Sequence, residues 1–250
     1  MRALFRAAGR LFRLMVYLVV GLWRARRLER MDERQRLETV RGWLAGAAAF
    51  LGVSVHVRGD TSLAGLPAGG SLWLPNHISW LDIPLLGGIR PGTVFLAKSE
   101  IRRWPVIGRL ARLAGTEFIE RGRGSEAAAA AVADGLSRGR QMVVFAEGTT
   151  SDGHGVRRFH ARLLGPAIES GSAVVPVALR YRDMDGRPTA APAFIGQEPL
   201  WPSLWRVLSA PGLEAHIDLL EPILPGPDES RSELARRAHH AVAATIAAGD

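Results

Sequence analysis

Two apolar stretches near the start of the chain have the pattern of helices that lie along a surface. Residues 14–23 are apolar, with arginines on both sides of them. Residues 43–55 form a second apolar stretch, rich in alanine and glycine, after a charged segment over residues 29–38. Both are shorter than the roughly 20 apolar residues that cross a bilayer upright. The pattern predicts a pair of helices that lie on a membrane or dip into one leaflet.

An alternative is that both helices cover the apolar surface of a soluble domain. The arginines around residues 14–23 favour the membrane, because an interfacial helix places its basic residues at the level of the lipid head groups. These residues are Arg2, Arg6, Arg10, Arg13, Arg24, Arg26 and Arg27. A cleaved export signal would need small residues at its cleavage site, whereas this stretch ends in Trp23.

After residue 57, short β-like runs alternate with helical segments, as in an α/β sheet. The predicted strands are residues 71–74, 93–97, 117–119, 142–146, 173–181 and 213–219. The predicted helices are residues 83–86, 104–113, 126–137, 161–169 and 229–248. We therefore expect membrane-associated helices over residues 1–57. We expect a single α/β catalytic domain over residues 58–250 after them, with a central, mostly parallel or mixed sheet flanked by helices.

Charge and cysteine content narrow the function. The formal net charge is +8, almost entirely from arginine, which favours a polyanionic partner such as an anionic bilayer or a nucleic acid. The aromatic residues are not interleaved with the basic ones as in a nucleic-acid-binding module, so we expect no nucleic-acid partner. The chain has no cysteine, which excludes disulfides, thiolate metal sites and a covalent acyl-cysteine intermediate.

The first candidate for chemistry is the segment over residues 75–82, PNHISWLD, at the end of a predicted strand. His77 can accept a proton near neutral pH, and Asp82 could orient the ring and stabilise its charged form. Five residues of regular helix would place the two side chains about 140° apart, so only a strand-to-helix turn could join them. Alternatively, Asn76 and Asp82 are turn and cap residues, and His77 is a satisfied polar side chain.

Two further segments have polar residues at strand ends. Residues 145–151, FAEGTTS, can present backbone N–H groups and hydroxyls to a polar head group, although this is also a common loop composition. Residues 115–121, GTEFIER, end in Arg121, which could bind a phosphate with two hydrogen bonds. In isolation, a solvated surface charge is the favoured interpretation of Arg121.

The order of these segments is more specific than any one of them. His77 and Asp82, then FIER at residues 118–121, then FAEGT at residues 145–149, then VPVA at residues 175–178 resemble the four-block pattern of the glycerolipid acyltransferases. The family is typified by 1-acylglycerol-3-phosphate O-acyltransferase. The resemblance implies direct transfer of an acyl group from acyl-CoA or acyl-carrier protein to a lysolipid hydroxyl, with His77 as general base and Asp82 orienting it. Ser79 is a less favoured candidate nucleophile.

The same resemblance assigns the other site residues. The residues expected to bind the acceptor are Asn76, Lys98, Arg121, Glu147, Gly148, Thr149 and Thr150, and those expected to line the acyl or oxyanion region are Val175, Pro176 and Val177. Lys98 is the only lysine of the chain, and a surface lysine is the alternative interpretation. We expect no metal and no cofactor beyond the acyl donor. The expected location is the cytoplasmic face of a bacterial-type inner membrane, with the N-terminal helices docked on the lipid bilayer.

This chain departs from the family pattern at Ala146, Thr150 and Glu120, where proline, arginine and aspartate are usual. The change at Thr150 removes a bidentate phosphate partner and is similar to relatives that acylate lyso-ornithine lipid. Nearby arginines at residues 157, 158 and 162 could compensate. The first hypothesis is therefore 1-acylglycerol-3-phosphate as acceptor, which gives phosphatidic acid, and the second is lyso-ornithine lipid. A third is a non-enzymatic peripheral protein that binds anionic lipid.

Overall fold

The computed structural model describes residues 1–28, 30–62, 69–103, 107–119 and 124–249. Within them the chain forms one central sheet with helices on both faces. The strands are β1 (Val53–Arg58), β2 (Ser71–Pro75), β3 (Thr93–Lys98), β4 (Glu117–Ile119), β5 (Gln141–Val143), β6 (Ala173–Asp183) and β7 (Leu213–Leu219). The α-helices are α1 (Arg2–Leu28), α2 (Glu33–Leu51), α3 (Asp82–Gly87), α4 (Ile107–Leu113), α5 (Gly124–Ser137), α6 (Gly165–Ser170), α7 (Leu200–Ser209) and α8 (Arg231–Ala248). Short 3-10 helices cover Ser99–Arg103 and Ala161–Leu164.

The strand order in the described sheet is β1-β7-β6-β2-β5-β3-β4. Strands β6 and β7 pair antiparallel, and the other neighbouring strands pair parallel. The prediction of an α/β fold with a mixed sheet is confirmed. Because β2, β5 and β6 are parallel neighbours, their carboxyl ends lie at one edge of the sheet, where α/β folds commonly bind ligands.

Alternate residues of the central strands enter two different apolar layers, because successive strand residues point to opposite faces. Trp73 of β2 packs into the layer that includes buried residues of α1, α2, α3 and α7. Its neighbours Leu72 and Leu74 pack into the other layer, with residues of α5, α6 and α8. The sheet is therefore covered by helices on both faces, and β2 is buried along its whole length.

The second apolar stretch is not one helix. Helix α2 begins at its N-cap Asp32, which accepts a 2.8 Å hydrogen bond from the N–H of Gln35, and it ends at Gly52, whose φ of +77° is left-handed. The predicted helical stretch to residue 55 is wrong at its end, since residues 53–58 form β1. The predicted domain boundary after residue 57 falls inside this strand.

Helix α7 was not predicted, and its C-terminal end is the binding partner of two of the N-terminal arginines. The Arg6 guanidinium donates to the carbonyl of Ser209, and the Arg10 guanidinium donates to the carbonyls of Leu208 and Ala210. These carbonyls lie at the C-terminal end of α7, where helix carbonyls lack intrahelical partners and cations are favoured. Arg10 is buried, so the expectation that it lies at lipid head-group level is wrong.

Helix α1 has a second, exposed apolar face opposite the one that packs on the domain. The outer apolar face of α1 consists of Leu4, Phe5, Phe12, Met15, Val16, Val19, Val20 and Trp23. The spacing of three, four and seven residues places them along one side of the helix. In the described part of the chain, no helix has the length and apolar character needed to cross a membrane.

Candidate active site

A turn between β2 and α3 brings His77 and Asp82 together. His77 lies in the loop after β2, and Asp82 is the first residue of α3. Their side chains meet at a distance of 2.7 Å between His77 Nδ1 and Asp82 Oδ2. The regular-helix geometry that would separate them does not apply, because residues 76–79 are not helical. The predicted contact therefore forms through the strand-to-helix turn that the spacing required.

The Asp82 carboxylate is fully buried and accepts hydrogen bonds at both oxygens. Oδ2 also accepts from the backbone N–H groups of Ile78 (2.8 Å) and Ser79 (2.9 Å). Because Oδ2 already accepts two N–H donors, Nδ1 of His77 must carry the proton in the contact between them. The other ring nitrogen, Nε2, is then the unprotonated one in a neutral imidazole. This is the tautomer that a general base needs.

Tyr181 is a residue of this site that the sequence reasoning missed. Its hydroxyl donates to Asp82 Oδ1 at 2.7 Å. Burial raises the pKa of Tyr181 well above its usual value, and the charge of Asp82 and the hydrogen bond to it add to the rise. The hydroxyl therefore stays protonated and remains a donor. No motif marks this residue, because it lies in β6 and meets Asp82 only through the fold.

The His77 ring also makes an aromatic contact that fixes its orientation. Phe145 stacks on it with ring centroids 3.8 Å apart and planes 17° from parallel. The His77 side chain is 18% exposed, whereas that of Asp82 is fully buried. The imidazole is therefore held by a carboxylate and a phenyl ring while part of it stays accessible to a substrate.

Glu147 connects the histidine loop, residues 76–81 between β2 and α3, to two other segments through backbone groups. Its Oε1 accepts from the N–H of His77 at 2.7 Å, and its Oε2 accepts from the N–H of Arg157 at 2.9 Å. The N–H of Ser151 donates to the carbonyl of His77 at 2.8 Å. Gly148, at a left-handed φ of +70°, makes the turn that follows. The segment over residues 145–151 thus positions the histidine loop by bonding both the N–H and the carbonyl of His77.

Glu147 is buried, whereas a side chain that binds a lipid head group directly would be exposed. Its expected part in binding the acceptor stays a prediction. Thr149 and Gly148 are exposed beside it, and they remain predicted acceptor-binding residues. Thr150 is half-buried, and its hydroxyl donates to the carbonyl of Phe194. The N–H of Phe194 in turn donates to the carbonyl of Ile78 at 3.0 Å. Thr150 therefore fastens the chain after β6 to the site.

Asn76 joins β2 to β6 in the interior. Its side-chain amide donates to the carbonyl of Leu179 at 2.9 Å and accepts from the N–H of Leu179 at 2.7 Å. Asn76 is fully buried and its amide is occupied in this way, which gives it a structural role between the two strands. Its expected part in binding the acceptor stays a prediction.

The remaining predicted residues divide into two groups. Val175, Pro176 and Val177 lie in β6, beside Trp73, Leu74 and Pro75 of β2, and are buried. They lie in the interior of the sheet just before the histidine loop, and their role in binding acyl groups stays a prediction. Glu120 and Arg121 lie outside the described residues, as does the side chain of Lys98 on β3, so their predicted roles also stay predictions.

The model of the family described as Acyltransferase matches residues 54–180 of the chain. The chain belongs to the acyltransferase family. This match begins in β1 and ends in β6, and it contains His77, Asp82 and Glu147. The resemblance inferred from the order of motifs is confirmed.

Relatives of this acyltransferase include enzymes named for lysolipid acylation. A lyso-ornithine lipid O-acyltransferase from Pseudomonas aeruginosa is 48% identical over 210 residues, which cover 84% of this chain and 78% of the relative. A 1-acyl-sn-glycerol-3-phosphate acyltransferase from Neisseria gonorrhoeae is 34% identical over 249 residues, which cover 97% of this chain and 94% of the relative. Both names agree with the predicted reaction class, and they differ in the acceptor.

The fold of this acyltransferase also matches a solved structure. The 1-acyl-sn-glycerophosphate (LPA) acyltransferase PlsC from Thermotoga maritima superimposes with a TM-score of 0.75 at 24% sequence identity. The superposition covers 99% of this chain and 97% of the other. The shared architecture therefore includes the N-terminal helices as well as the sheet.

The buried carboxyl of Glu147 should make the free energy of unfolding depend on pH. Burial raises its pKa above the usual 4.5, and the N–H groups of Arg157 and His77 oppose the rise only in part. The folded chain therefore holds this proton to a higher pH than the unfolded chain. Its stabilising contribution is complete below pH 4.5 and is lost as the pH rises through the raised pKa.

We expect Glu147→Gln to be less stable than the wild type, by about 1–3 kcal/mol, because its amide NH₂ faces one of the two backbone donors. The glutamine does not titrate, so the difference in unfolding free energy between the two proteins should narrow as the pH rises from about 4 to 8. Urea unfolding of both proteins across this range measures it. A difference that widens with pH would mean that the folded state lowers the pKa of Glu147.

Proposed function

We propose that this acyltransferase moves a fatty acyl group from a thioester donor, acyl-CoA or acyl-carrier protein, to the hydroxyl of a lysolipid. The observation that supports it best is the 2.7 Å contact between His77 and Asp82, which fixes the neutral base tautomer. Nε2 of His77 takes the hydroxyl proton as the oxygen attacks the thioester carbonyl. The C–O bond forms, the C–S bond breaks, and the leaving thiolate receives the proton from the imidazolium. No acyl-enzyme intermediate is required, in agreement with the lack of cysteine.

We further propose lyso-ornithine lipid as the preferred acceptor. Thr150 occupies the position where the family pattern has arginine, and its hydroxyl is used by the carbonyl of Phe194 rather than left for a phosphate. The 48% identity with the Pseudomonas aeruginosa enzyme supports the same choice. Lysophosphatidate is the second candidate, because the relative from Neisseria gonorrhoeae aligns over nearly the whole chain. The exposed side chains of Arg157 and Arg158 could then bind the phosphate.

An arginine at position 150 should shift the acceptor preference towards lysophosphatidate. A charge-assisted hydrogen bond contributes about 1.5–3 kcal/mol, so we expect Thr150→Arg to raise the kcat/KM ratio of lysophosphatidate to lyso-ornithine lipid by roughly 10–100-fold. His154→Arg is the matched control, since it adds a positive charge at a nearby exposed residue that is not among the predicted acceptor-binding residues. The two acceptors are compared in competition with one labelled donor. An equal shift in both variants would mean that net charge, and not position 150, sets the preference.

We propose that the outer apolar face of α1 docks the enzyme on the membrane that supplies the lysolipid. Phe5 and Phe12 are 75% and 70% exposed on this face. Because exposure of phenyl rings to water is unfavourable, an exposed apolar face of this size indicates a binding surface. Arg27 stacks on Trp23 near the end of the helix, with its guanidinium carbon 4.2 Å from the ring centroid. An apolar face flanked by arginines is typical of a helix that lies in the interface of an anionic leaflet.

Phe12→Ser should weaken binding to anionic lipid vesicles by at least about tenfold, because burial of a phenylalanine contributes about 1.5–3 kcal/mol. Flotation with vesicles of mixed neutral and anionic lipid measures the bound fraction. Leu224→Ser is the matched control, since Leu224 is 55% exposed and follows Ile223, which packs in the layer of α5, α6 and α8 on the sheet face opposite to α1. If both variants float as well as the wild type, the outer apolar face of α1 does not dock on the bilayer.

A further inference from the structure

Two histidines and a glutamate from distant parts of the sequence meet at the edge of the sheet. Strand β1 is one of the two edge strands of the described sheet, and His56 lies directly opposite His216 in its parallel pairing with β7. Glu214 lies two residues before His216, so the period of a strand places it on the same face. The cluster of His56, Glu214 and His216 lies outside the histidine loop and has no part in the acyl transfer described above.

The geometry of the cluster is close to that of a metal site. His216 Nε2 lies 3.0 Å from Glu214 Oε2, and the rings of His56 and His216 stack with centroids 4.8 Å apart. One ligand atom from each of the three residues lies within 4.8 Å of the others. Zinc bonds of about 2.0–2.2 Å in a tetrahedron separate ligand atoms by about 3.3 Å. A turn of the exposed His56 ring is the movement required to reach that arrangement.

We propose that His56, Glu214 and His216 bind a divalent transition-metal ion of the zinc class. Two imidazoles and one carboxylate are ligands that Zn²⁺ prefers, and a site with three protein ligands leaves the fourth position to water. The Glu214 carboxylate offsets part of the ion's charge. The 3.0 Å contact that it makes with His216 is replaced by bonds from both side chains to the metal.

Two basic side chains of β6 near the cluster are held by other groups. Arg180 lies opposite His216 and pairs with Asp218, and Arg182 lies opposite Glu214 and donates to the carbonyls of Gly186 and Gly249. Since both guanidiniums have partners away from the cluster, they do not occupy the Glu214 carboxylate. The cluster therefore keeps its two imidazoles and its carboxylate for a cation.

A metal here would join the N-terminal helices more firmly to the catalytic sheet. Strand β1 follows α2 directly after Gly52, and its hydrogen-bonded neighbour in the sheet is β7 alone within the described order. Ligands from both strands would add cross-links to the backbone hydrogen bonds of one parallel pair. The bound ion should therefore slow the opening of β1, and with it the detachment of α2.

The test is a titration of the full chain, purified in detergent without a histidine tag, with Co²⁺ and then Zn²⁺. Four-coordinate Co²⁺ bound to two imidazoles and a carboxylate absorbs visible light far more strongly than hydrated Co²⁺, so binding is read as a gain in absorbance that Zn²⁺ should reverse. His56→Ala and His216→Ala should each weaken Co²⁺ binding by at least about tenfold, because each removes one of three ligands. His240→Ala, at an exposed histidine of α8, is the matched control and should bind as the wild type does. No cysteine thiolate competes for the ion.

A second readout is amide hydrogen exchange of residues 53–58, which Zn²⁺ should slow in the wild type and leave unchanged in His56→Ala. Because His56 is exposed, this variant decides the outcome even if His216→Ala fails to fold. The proposal is overturned if the wild type binds no Co²⁺, or if His240→Ala weakens binding as much as the two cluster variants do. Unchanged exchange of β1 with Zn²⁺ bound would overturn its role in holding the strand.

Discussion

Replacement of His77 by alanine should lower kcat for acyl transfer by about 10²–10⁴-fold, the contribution expected of a general base. The fold should survive, because the backbone contacts of this loop are made by the N–H and carbonyl of residue 77 and not by its ring. Steady-state transfer of a labelled acyl group measures the loss, with circular dichroism and vesicle flotation as checks on folding and membrane binding.

A second imidazole close to the site provides the control for this experiment. The ring of His160 lies beside Gly148, where an added Cβ would be 3.2 Å from it. We expect His160→Ala to keep most of the activity, since in the described structure this ring has no carboxylate contact comparable to that between His77 and Asp82. If His160→Ala lost activity and His77→Ala kept it, the base would be His160.

Asp82→Asn should also lower kcat by about 10²–10⁴-fold, because the substitution removes the carboxylate that sets the tautomer of His77. An asparagine oxygen cannot replace both carboxylate oxygens, so its NH₂ group must face either Tyr181 or the donors of the histidine loop. The ring can then turn its unprotonated nitrogen towards the amide and carry the proton on Nε2. A buried donor left without a partner should also cost about 1–3 kcal/mol of unfolding free energy.

Tyr181→Phe separates the catalytic loss from the structural one. It removes the partner of Asp82 Oδ1 and leaves the contacts of Oδ2 in place, so we expect a loss of kcat of less than about tenfold with little change in KM. Urea unfolding of both variants gives their stabilities. If Asp82→Asn lost activity only in proportion to its unfolded fraction, the carboxylate would have a structural role alone.

The central strands and the histidine turn were predictable because their signals are local. Runs such as residues 173–179 are apolar and β-branched, and α3 and α5 formed where helical segments were expected. The His77 and Asp82 contact followed from one geometric requirement, that a turn replace the regular helix between them. The order of motifs then gave the family, which no single segment could have done.

Contacts between distant segments could not be read from the sequence. Arg10 resembles a head-group arginine until α7 is placed beside it, and Tyr181 resembles an ordinary strand residue until β6 is placed beside α3. Strand β1 was hidden because the apolar pattern of α2 continues past Gly52, where only the left-handed turn separates helix from strand. Helix α7 was hidden by the proline within its first turn, a position that helices tolerate.

The measurement that tests the central claim most directly is transfer of a labelled palmitoyl group by the wild-type enzyme, from acyl-CoA and from acyl-carrier protein, to lyso-ornithine lipid and lysophosphatidate in parallel. We predict acylated product with at least one donor, and a higher kcat/KM for lyso-ornithine lipid than for lysophosphatidate. A preference for lysophosphatidate would contradict the proposed acceptor and leave the reaction intact. No product with any pair, from folded and membrane-bound protein, would contradict the proposed lysolipid acyl transfer itself.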